Sequence, residues 1–270
     1  MSQILNVRIA LKIKFFTVAI AAALSMAASF ASAGTLVYAN GVNAQEASWD
    51  NNSNDVAMNS AFGAGAWSRV QGYSSAMFAG ADFVFIDGSA ANADDFSSFL
   101  SDNSATIASF VGSGGRLFLN SAPYADGQLD FGFGVTLNYG NVIDMVTVTA
   151  NGIAAGLTAG GLTTNYEGNF FSHGPLSGGG ISSLVAGQSG TVFGAKNFGA
   201  GFVAFGSQTL PSFHKPEADA AALLVNELRF VNAGGATVVA PEVAPVPEPA
   251  GLALLGLGLI GLAVARRKSA

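Results

Sequence analysis

The sequence of 270 residues contains no cysteine, which excludes disulfide bonds, thiolate metal sites and a cysteine nucleophile. Charge is also scarce, since only 10% of the residues are Asp, Glu, Lys or Arg. Glycine and phenylalanine are plentiful instead, with 35 and 21 residues. The phenylalanines supply ample apolar surface for a packed core, so the composition is that of a folded chain and not of a disordered one.

Basic residues are few, and about half of them lie at the two ends. Six of the 11 Lys and Arg residues fall before residue 15 or after residue 265. The region 34–249 keeps five basic side chains against 17 acidic ones, a formal charge of −12. A nucleic-acid-binding protein needs a basic surface that replaces the counterions of the phosphates. We therefore expect no nucleic-acid partner.

The first 33 residues have the organisation of a signal peptide. The basic residues of its first part are Arg8, Lys12 and Lys14. An apolar run follows over 15–30, and Ala31 and Ala33 are the small residues that a signal peptidase requires next to its cleavage point. We predict cleavage after Ala33. The alternative is an N-terminal membrane anchor that is never cut.

The C-terminal segment combines three elements in a fixed order. The first is a Pro-Glu-Pro motif made of Pro247, Glu248 and Pro249. An apolar Gly-rich run follows over 250–265, and the basic cluster Arg266, Arg267 and Lys268 comes last. The apolar run predicts a short transmembrane helix, and the basic cluster is expected to stop its transfer and remain in the cytoplasm. The alternative is a plain C-terminal tail anchor.

This segment, over 246–270, resembles the PEP-CTERM sorting signal. The resemblance implies recognition by an exosortase and a transient stay in the inner membrane through 250–265. It also implies removal of the tail and delivery to the cell surface or exopolysaccharide matrix of a Gram-negative bacterium. Proteins with this signal are often linked to biofilm formation.

Between the two ends, short apolar strands alternate with amphipathic helices. Strands are predicted over 35–39, 81–87 and 116–120, and the apolar spacing over 96–111 predicts a helix between the last two. A final helix is predicted over 217–231. This alternation favours an α/β domain with a parallel sheet. The predicted organisation is a signal peptide (1–33), an α/β domain (34–232), a linker (233–245) and the sorting signal (246–270).

The α/β region resembles the class I glutamine amidotransferase-like fold. The resemblance depends on the strand that ends in Asp87, on Gly-Gly-Arg-Leu-Phe-Leu at 114–119, on Gly-Ala-Gly-Phe-Val-Ala-Phe-Gly-Ser at 199–207, and on His214 before the last helix. It implies a flavodoxin-like three-layer sandwich with a mostly parallel sheet, here with a Gly-rich β insertion over 131–190.

Two departures from this family bear on activity. Active members carry a cysteine directly after the strand matched by 116–120, where this chain has Asn-Ser-Ala-Pro at 120–123. They also carry a His-x-Glu motif, whereas His214 and Glu217 are one residue further apart. The resemblance therefore implies an amidotransferase-like domain without amidotransferase activity.

A serine hydrolase is the alternative enzymatic hypothesis. Ser121 would be the nucleophile and His214 the base, with Glu217 or Asp87 as the acid that orients the histidine. Ser121 lacks the Gly-x-Ser-x-Gly context that exposes a nucleophile on a strained turn. The alternative is that Ser121 caps a turn and that His214 is a loop residue near the end of the sheet.

A third hypothesis is a calcium- or glycan-binding module. The polar run over 50–55 offers oxygen donors but lacks the glycine and glutamate of an EF-hand loop. His173, the other histidine, has no partner at metal-ligand spacing, so we expect no metal and no cofactor. The aromatic residues that would stack on sugar rings, if exposed, are Trp49, Trp67, Tyr73, Tyr124 and Tyr166.

The sequence thus predicts an exported surface or extracellular-matrix protein with a non-enzymatic role as a scaffold or binding protein in exopolysaccharide or biofilm. Its expected partners are signal peptidase and exosortase during export, and exopolysaccharide afterwards. The serine hydrolase and the calcium- or glycan-binding module remain the alternatives.

Overall fold

A computed structural model describes residues 34–41, 51–124 and 126–238. The strands of these ranges are β1 (Leu36–Asn40), β2 (Trp67–Gln71), β3 (Phe83–Asp87), β4 (Arg116–Asn120), β5 (Gly127–Gly132), β6 (Val135–Tyr139), β7 (Ile143–Val148), β8 (Asn165–Ser172), β9 (Leu176–Gly178), β10 (Ser182–Gly187), β11 (Gly190–Phe198) and β12 (Gly201–Gly206). The helices are α1 (Ser53–Phe62), α2 (Ala93–Asp102), α3 (Ser104–Gly112), α4 (Ala150–Ala154) and α5 (Glu217–Asn232).

One part of the sheet is parallel, with the strand order β2-β1-β3-β4-β12. Its register places Asn40 opposite Asp87, and Asp87 opposite Asn120. Gly206, the last residue of β12, lies opposite Asn120 on the other side. Because these strands run in the same direction, their carboxyl ends share one edge of the sheet. Polar side chains that end the strands are therefore brought together there.

The other part of the sheet is antiparallel. It continues from β12 through β11, β10 and β7 to β8, while β5, β6 and β9 pair beside it. The predicted flavodoxin-like sandwich with a mostly parallel sheet is therefore wrong. Of the eleven strand pairings in the described ranges, four are parallel and seven antiparallel. The Gly-rich segment does not form a separate insertion, because its strands extend the same ladder into one curled, mixed sheet.

Both faces of the parallel strands are buried, in step with the two-residue period of a strand. On one face Tyr38, Phe85 and Phe118 lie in a core cluster that also contains side chains of α1 and α5. On the other face the alternate residues, among them Ile86 and Leu119, lie in a cluster with side chains of α2 and α3. The near-continuous apolar runs of these strands follow from this burial on both sides.

The helical pattern predicted over 96–111 is correct in type but is divided into two helices. Helix α2 ends at Asp102 and α3 begins at Ser104. Between them the side-chain Nδ2 of Asn103 donates to the carbonyl of Phe99 at 2.9 Å. An asparagine amide that hydrogen-bonds local backbone competes with helix continuation, which explains the break.

Candidate functional site

The carboxyl edge of the parallel strands contains a switch in the direction of the chain. From β1 the chain passes through α1 to β2 on one side, and then returns to β3 on the other side of β1. In open α/β sheets the crevice at such a switch point is the usual position for a ligand. Here the strands at this point end in Asn40 and Asp87. The polar groups around these two residues therefore form the candidate site.

Asp87 is the centre of a buried hydrogen-bond network and has no exposed surface. Its Oδ1 accepts hydrogen bonds from the Ser89 hydroxyl at 2.6 Å, from the Ser89 amide at 3.2 Å and from the Asn120 Nδ2 at 3.1 Å. Its Oδ2 accepts one from the Asn54 Nδ2 at 2.9 Å. Four donors thus surround one carboxylate, which compensates for its burial.

Two tyrosines complete this network from neighbouring elements. Tyr38 on β1 has its hydroxyl 3.1 Å from the Asn54 Nδ2, and Tyr73 donates its hydroxyl to the backbone carbonyl of Asp87 at 2.8 Å. Burial, and then the nearby charge of Asp87, raise the pKa of both phenols well above the ordinary value. Both are therefore neutral, and they serve the network as hydrogen-bonding groups.

Ser121, the predicted nucleophile, lies directly after β4 and is completely buried. Its hydroxyl donates to the carbonyl of Gly88 at 2.9 Å, and its amide donates to the carbonyl of Gly206 at 3.1 Å. These bonds join the loops that follow β3 and β4 to each other and to the end of β12. The residue with a strained backbone at this edge is Ala90, which follows β3 and has a φ of 56°. The strained position is thus occupied by alanine and not by the candidate nucleophile.

His214, the predicted base, is also buried, with 3% of its surface exposed. Its Nε2 is 2.8 Å from the hydroxyl of Thr209, and its ring stacks on Phe171. Burial lowers the pKa of the imidazole to about 3, and a hydrogen bond to the backbone of Phe171 opposes this shift only in part. The ring is therefore neutral at physiological pH.

The structure does not bring the predicted hydrolytic residues together through hydrogen bonds. Ser121 bonds to Gly88 and His214 to Thr209, and no bond joins Ser121 to His214 among the described residues. Glu217 is exposed and forms an ion pair at 3.4 Å with Lys215. Asp87 bonds to the amides and the hydroxyl named above and not to the histidine. The geometry therefore gives no support to the proposed serine, histidine and acid set.

The remaining metal and calcium candidates are also occupied by other contacts. The Nδ1 of His173 contacts the carbonyl of Pro123. Asp55, at the end of the polar run, forms an ion pair with Arg69 at 2.9 Å. No group of three His, Asp or Glu side chains suited to a metal ion occurs within the described ranges.

A second buried carboxyl was not predicted from the sequence. Glu227 on α5 is fully buried, and its Oε2 accepts a hydrogen bond from the Nε2 of Gln208. Burial raises the pKa of this carboxyl to about 8, while the bond from Gln208 lowers it in part. The available signal was the position of Glu227 next to Leu223, Leu224 and Leu228, which form the buried stripe of α5.

Of the aromatic residues considered for glycan binding, the structure exposes one. Tyr124 is 68% exposed, whereas Tyr166 is buried, and Trp67 and Tyr73 are partly buried. The indole of Trp67 donates to the Oδ1 of Asn59 at 3.0 Å. Trp49 lies outside the described residues. The exposed rings that the sequence did not single out are Phe170 and Phe213, at 44% and 43%.

The predicted signal peptide and sorting signal lie outside the described residues, and with them Ala31, Ala33, the Pro-Glu-Pro motif at 247–249 and the basic cluster at 266–268. Within the described ranges, no helix is both long and apolar enough to cross a membrane. The last described residues pack on the body. The Thr237 hydroxyl donates to the carbonyl of Ala154 at 3.2 Å, and the Val238 amide donates to that of Ala155 at 2.9 Å.

Comparison with known structures finds partial likenesses. A beta-galactosidase from Rahnella sp. R3 matches with 12% identity and a TM-score of 0.47, over 73% of this chain and 31% of its own. The cytoplasmic protein STM1381 from Salmonella typhimurium LT2 matches with 12% identity and a TM-score of 0.44, over 73% and 99%. STM3548 from Salmonella typhimurium matches with 10% identity and a TM-score of 0.45, over 73% and 98%.

These likenesses carry no inference about fold or activity, because every TM-score is below 0.5. The chain spans less than a third of the beta-galactosidase. The amidotransferase-like resemblance receives no support from them. No curated protein matches the chain significantly.

The C-terminal comparison is specific. Residues 245–268 match the PEP-CTERM protein-sorting motif, which confirms the prediction made from the Pro-Glu-Pro motif, the apolar run and the basic cluster. The chain therefore carries the signal of a protein that is exported by a Gram-negative bacterium and sorted to the cell surface by an exosortase.

Proposed function

We propose that this protein acts as a non-enzymatic scaffold or binding protein in the exopolysaccharide or biofilm layer, after cleavage by signal peptidase and sorting by exosortase. The observation that carries the proposal is the PEP-CTERM motif at 245–268. The predicted transmembrane helix at 250–265 holds the precursor in the inner membrane, with the basic cluster on the cytoplasmic side. The body then faces the outside, where the matrix polymers are.

The chemistry of the body supports a role without catalysis. The carboxylate of Asp87 is surrounded by four hydrogen-bond donors. The hydroxyl of Ser121 donates a hydrogen bond to the carbonyl of Gly88. The imidazole of His214 is buried and has a low pKa. A general base must be able to take a proton near the working pH, which this environment opposes. We assign these polar groups to the stability of the carboxyl edge.

Sorting is tested in the producing bacterium with the double substitution Pro247→Ala/Pro249→Ala in the full chain. We expect the variant to accumulate in the inner-membrane fraction at the mass of the unprocessed tail, while the wild type reaches the surface or the matrix at a lower mass. Pro241→Ala, which makes the same change before the matched motif, is the control and should behave as the wild type. The proposal is overturned if the double variant is processed and released like the wild type.

A further inference from the structure

Three aromatic rings stand out among the exposed side chains of the described residues. Tyr124 follows β4, Phe170 lies in β8, and Phe213 lies in the turn before α5. Their exposed fractions are 68%, 44% and 43%. Large apolar rings are normally covered in a monomer, so an exposed group of them marks an interaction surface if the rings are neighbours.

Contacts between their segments bring these three residues into one region of the molecule. The carbonyl of Pro123, next to Tyr124, contacts the Nδ1 of His173. The ring of His173 lies 5.6 Å from that of Phe170, measured between centroids. We use the name aromatic rim for Tyr124, Phe170, His173 and Phe213.

The link to Phe213 runs through the backbone. A Cβ added to Gly168 would lie 2.5 Å from the carbonyl oxygen of Phe213, so the two segments touch. The Thr209 hydroxyl donates to the carbonyl of Phe170 at 3.0 Å. The rim therefore joins residues from β8 and from the loops that follow β4 and β12, beside the carboxyl edge.

Phe170 has a strained backbone that presents its side chain outward. Its φ is 60°, in the left-handed region that bulky residues avoid at a cost of about 1–2 kcal/mol. Two side chains fix this conformation, because the Phe170 amide donates to the Oδ1 of Asp144 at 2.9 Å and its carbonyl accepts from Thr209. Glycine or asparagine would relieve the strain, and strain that the surrounding structure maintains points to a functional position.

The charges around the rim indicate what it can bind. Burial lowers the pKa of His173, with the bond to Pro123 opposing this shift, so the imidazole is neutral at pH 7. The ionisable side chains close to the rim segments include Asp144, which accepts from the Phe170 amide, and Glu167 and Lys215, whose backbones pair with each other. Lys215 also forms an ion pair with Glu217 at 3.4 Å. The three carboxylates of Asp144, Glu167 and Glu217 outnumber the one cation of this group, so these surroundings repel an anionic polymer. They suit a neutral one, whose hydroxyl groups can donate to carboxylates while its ring faces lie on the aromatic rings.

We propose that the aromatic rim binds the sugar rings of a neutral polysaccharide. The proposal rests on the proposed function, since it names the matrix component that the sorted protein would contact. Tyr124 and Phe170 supply the stacking surfaces, and Phe213 extends them along the rim. Asp144 holds Phe170 in place, which makes it a positioning residue.

The test uses the full chain purified in mild detergent and electrophoresed through native gels that contain galactomannan as a neutral probe or alginate as an anionic one. We expect galactomannan to slow the wild type and alginate to have no specific effect. The variant Tyr124→Ala/Phe170→Asn should bind galactomannan at least tenfold more weakly. Asparagine accepts a positive φ, so this variant should keep or gain thermal stability, which separates loss of binding from loss of folding.

Ile153→Ala is the matched control, because Ile153 is 48% exposed on α4, which packs mainly on β10 and β7. It should bind galactomannan like the wild type. The proposal is overturned if galactomannan does not slow the wild type, if alginate slows it more, or if the double variant binds equally well. A protein partner for the rim would give the first of these results. Because these gels do not depend on export, a negative result leaves the sorting of the Pro247→Ala/Pro249→Ala variant as a separate question.

Discussion

The imidazole of His214 lies almost flat on the phenyl ring of Phe171, with the ring centroids 3.7 Å apart and the planes inclined by 17°. This stack is 3% exposed at His214 and fully covered at Phe171. It accounts for the low pKa of the histidine, because a cationic ring would lose its hydration there. His214 is thus a neutral core aromatic whose Nε2 hydrogen-bonds the hydroxyl of Thr209.

The first prediction concerns stability in acid. The folded pKa of His214 is about 3, below that of the unfolded chain, so the unfolded state binds the additional proton as the pH falls. Stability should therefore fall from about pH 6.5 towards pH 3, with a contribution of up to about 1.4 kcal/mol per pH unit from this residue. In His214→Gln we expect a shallower dependence of the urea midpoint on pH over this range.

The difference between the variant and the wild type isolates the histidine from the carboxylates, which both proteins share. His173→Gln is the control and should change the slope less, because His173 is less buried. Parallel curves for the wild type and His214→Gln would contradict a neutral, buried imidazole.

The second prediction concerns Glu227, whose contribution to stability changes with pH in the opposite direction. Its folded pKa of about 8 lies above that of the unfolded chain, so the folded state holds a proton that the unfolded state releases. This contribution should be present below about pH 4.5 and should be lost as the pH rises towards 8. Glu227→Gln should have a higher melting temperature than the wild type at pH 8 and a smaller difference at pH 5.

Thermal unfolding between pH 5 and pH 8 measures this effect. Glu217→Gln provides the control, because its carboxylate is exposed and its substitution should shift both temperatures by similar small amounts. If Glu227→Gln were less stable than the wild type at pH 8, a neutral carboxyl at this position would be refuted.

The third prediction concerns the network around Asp87. In Asp87→Ala the amides of Asn54 and Asn120 and the hydroxyl of Ser89 lose their common acceptor inside the protein. We expect a loss of about 3 kcal/mol or more in the free energy of unfolding, measured in urea. Asp94→Ala, at an exposed position in the first turn of α2, should cost less than about 1 kcal/mol. Equal losses in the two variants would show that the network adds little.

The fourth prediction separates the binding role from the serine hydrolase hypothesis. A fluorophosphonate probe should not label the full chain, because the Ser121 hydroxyl is buried and donates a hydrogen bond to the carbonyl of Gly88. Mass spectrometry of the probe-treated protein gives the answer. Labelling that disappears in both Ser121→Ala and His214→Ala would replace the non-enzymatic function with a hydrolytic one.

The sequence predicted single elements well and their assembly poorly. The strands over 81–87 and 116–120 are confirmed in β3 and β4, because runs buried on both faces have a distinct apolar pattern. Such a pattern does not determine whether neighbouring strands are parallel or antiparallel. The choice between a parallel and an antiparallel neighbour for β12 depends on the turn at Gly199, which joins it to β11. The Gly-rich second half was predicted to be an insertion beside a mostly parallel sheet, whereas its antiparallel strands extend that same sheet, and this produced the error in the fold.

The candidate site shows a similar limit. Sequence reasoning found Ser121, His214 and Asp87 because they are chemically reactive residue types near the ends of strands. It could not show that each has a separate hydrogen-bond partner, since the tertiary fold decides which backbone carbonyl, amide or hydroxyl lies next to each side chain. Phe170 was missed because its exposure depends on a left-handed φ at one position of β8.

The attachment of Val238 to α4 has a mechanical consequence. A protein held by its C-terminal tail in a membrane or a matrix experiences tension that enters the body at Val238. The hydrogen bond from the Val238 amide to the Ala155 carbonyl and the one from the Thr237 hydroxyl to the Ala154 carbonyl pass this tension to α4. Helix α4 in turn packs on β10. The load is then shared by the antiparallel strands before it reaches the end of α5 at Asn232. Such an arrangement resists the peeling of the last helix from the sheet.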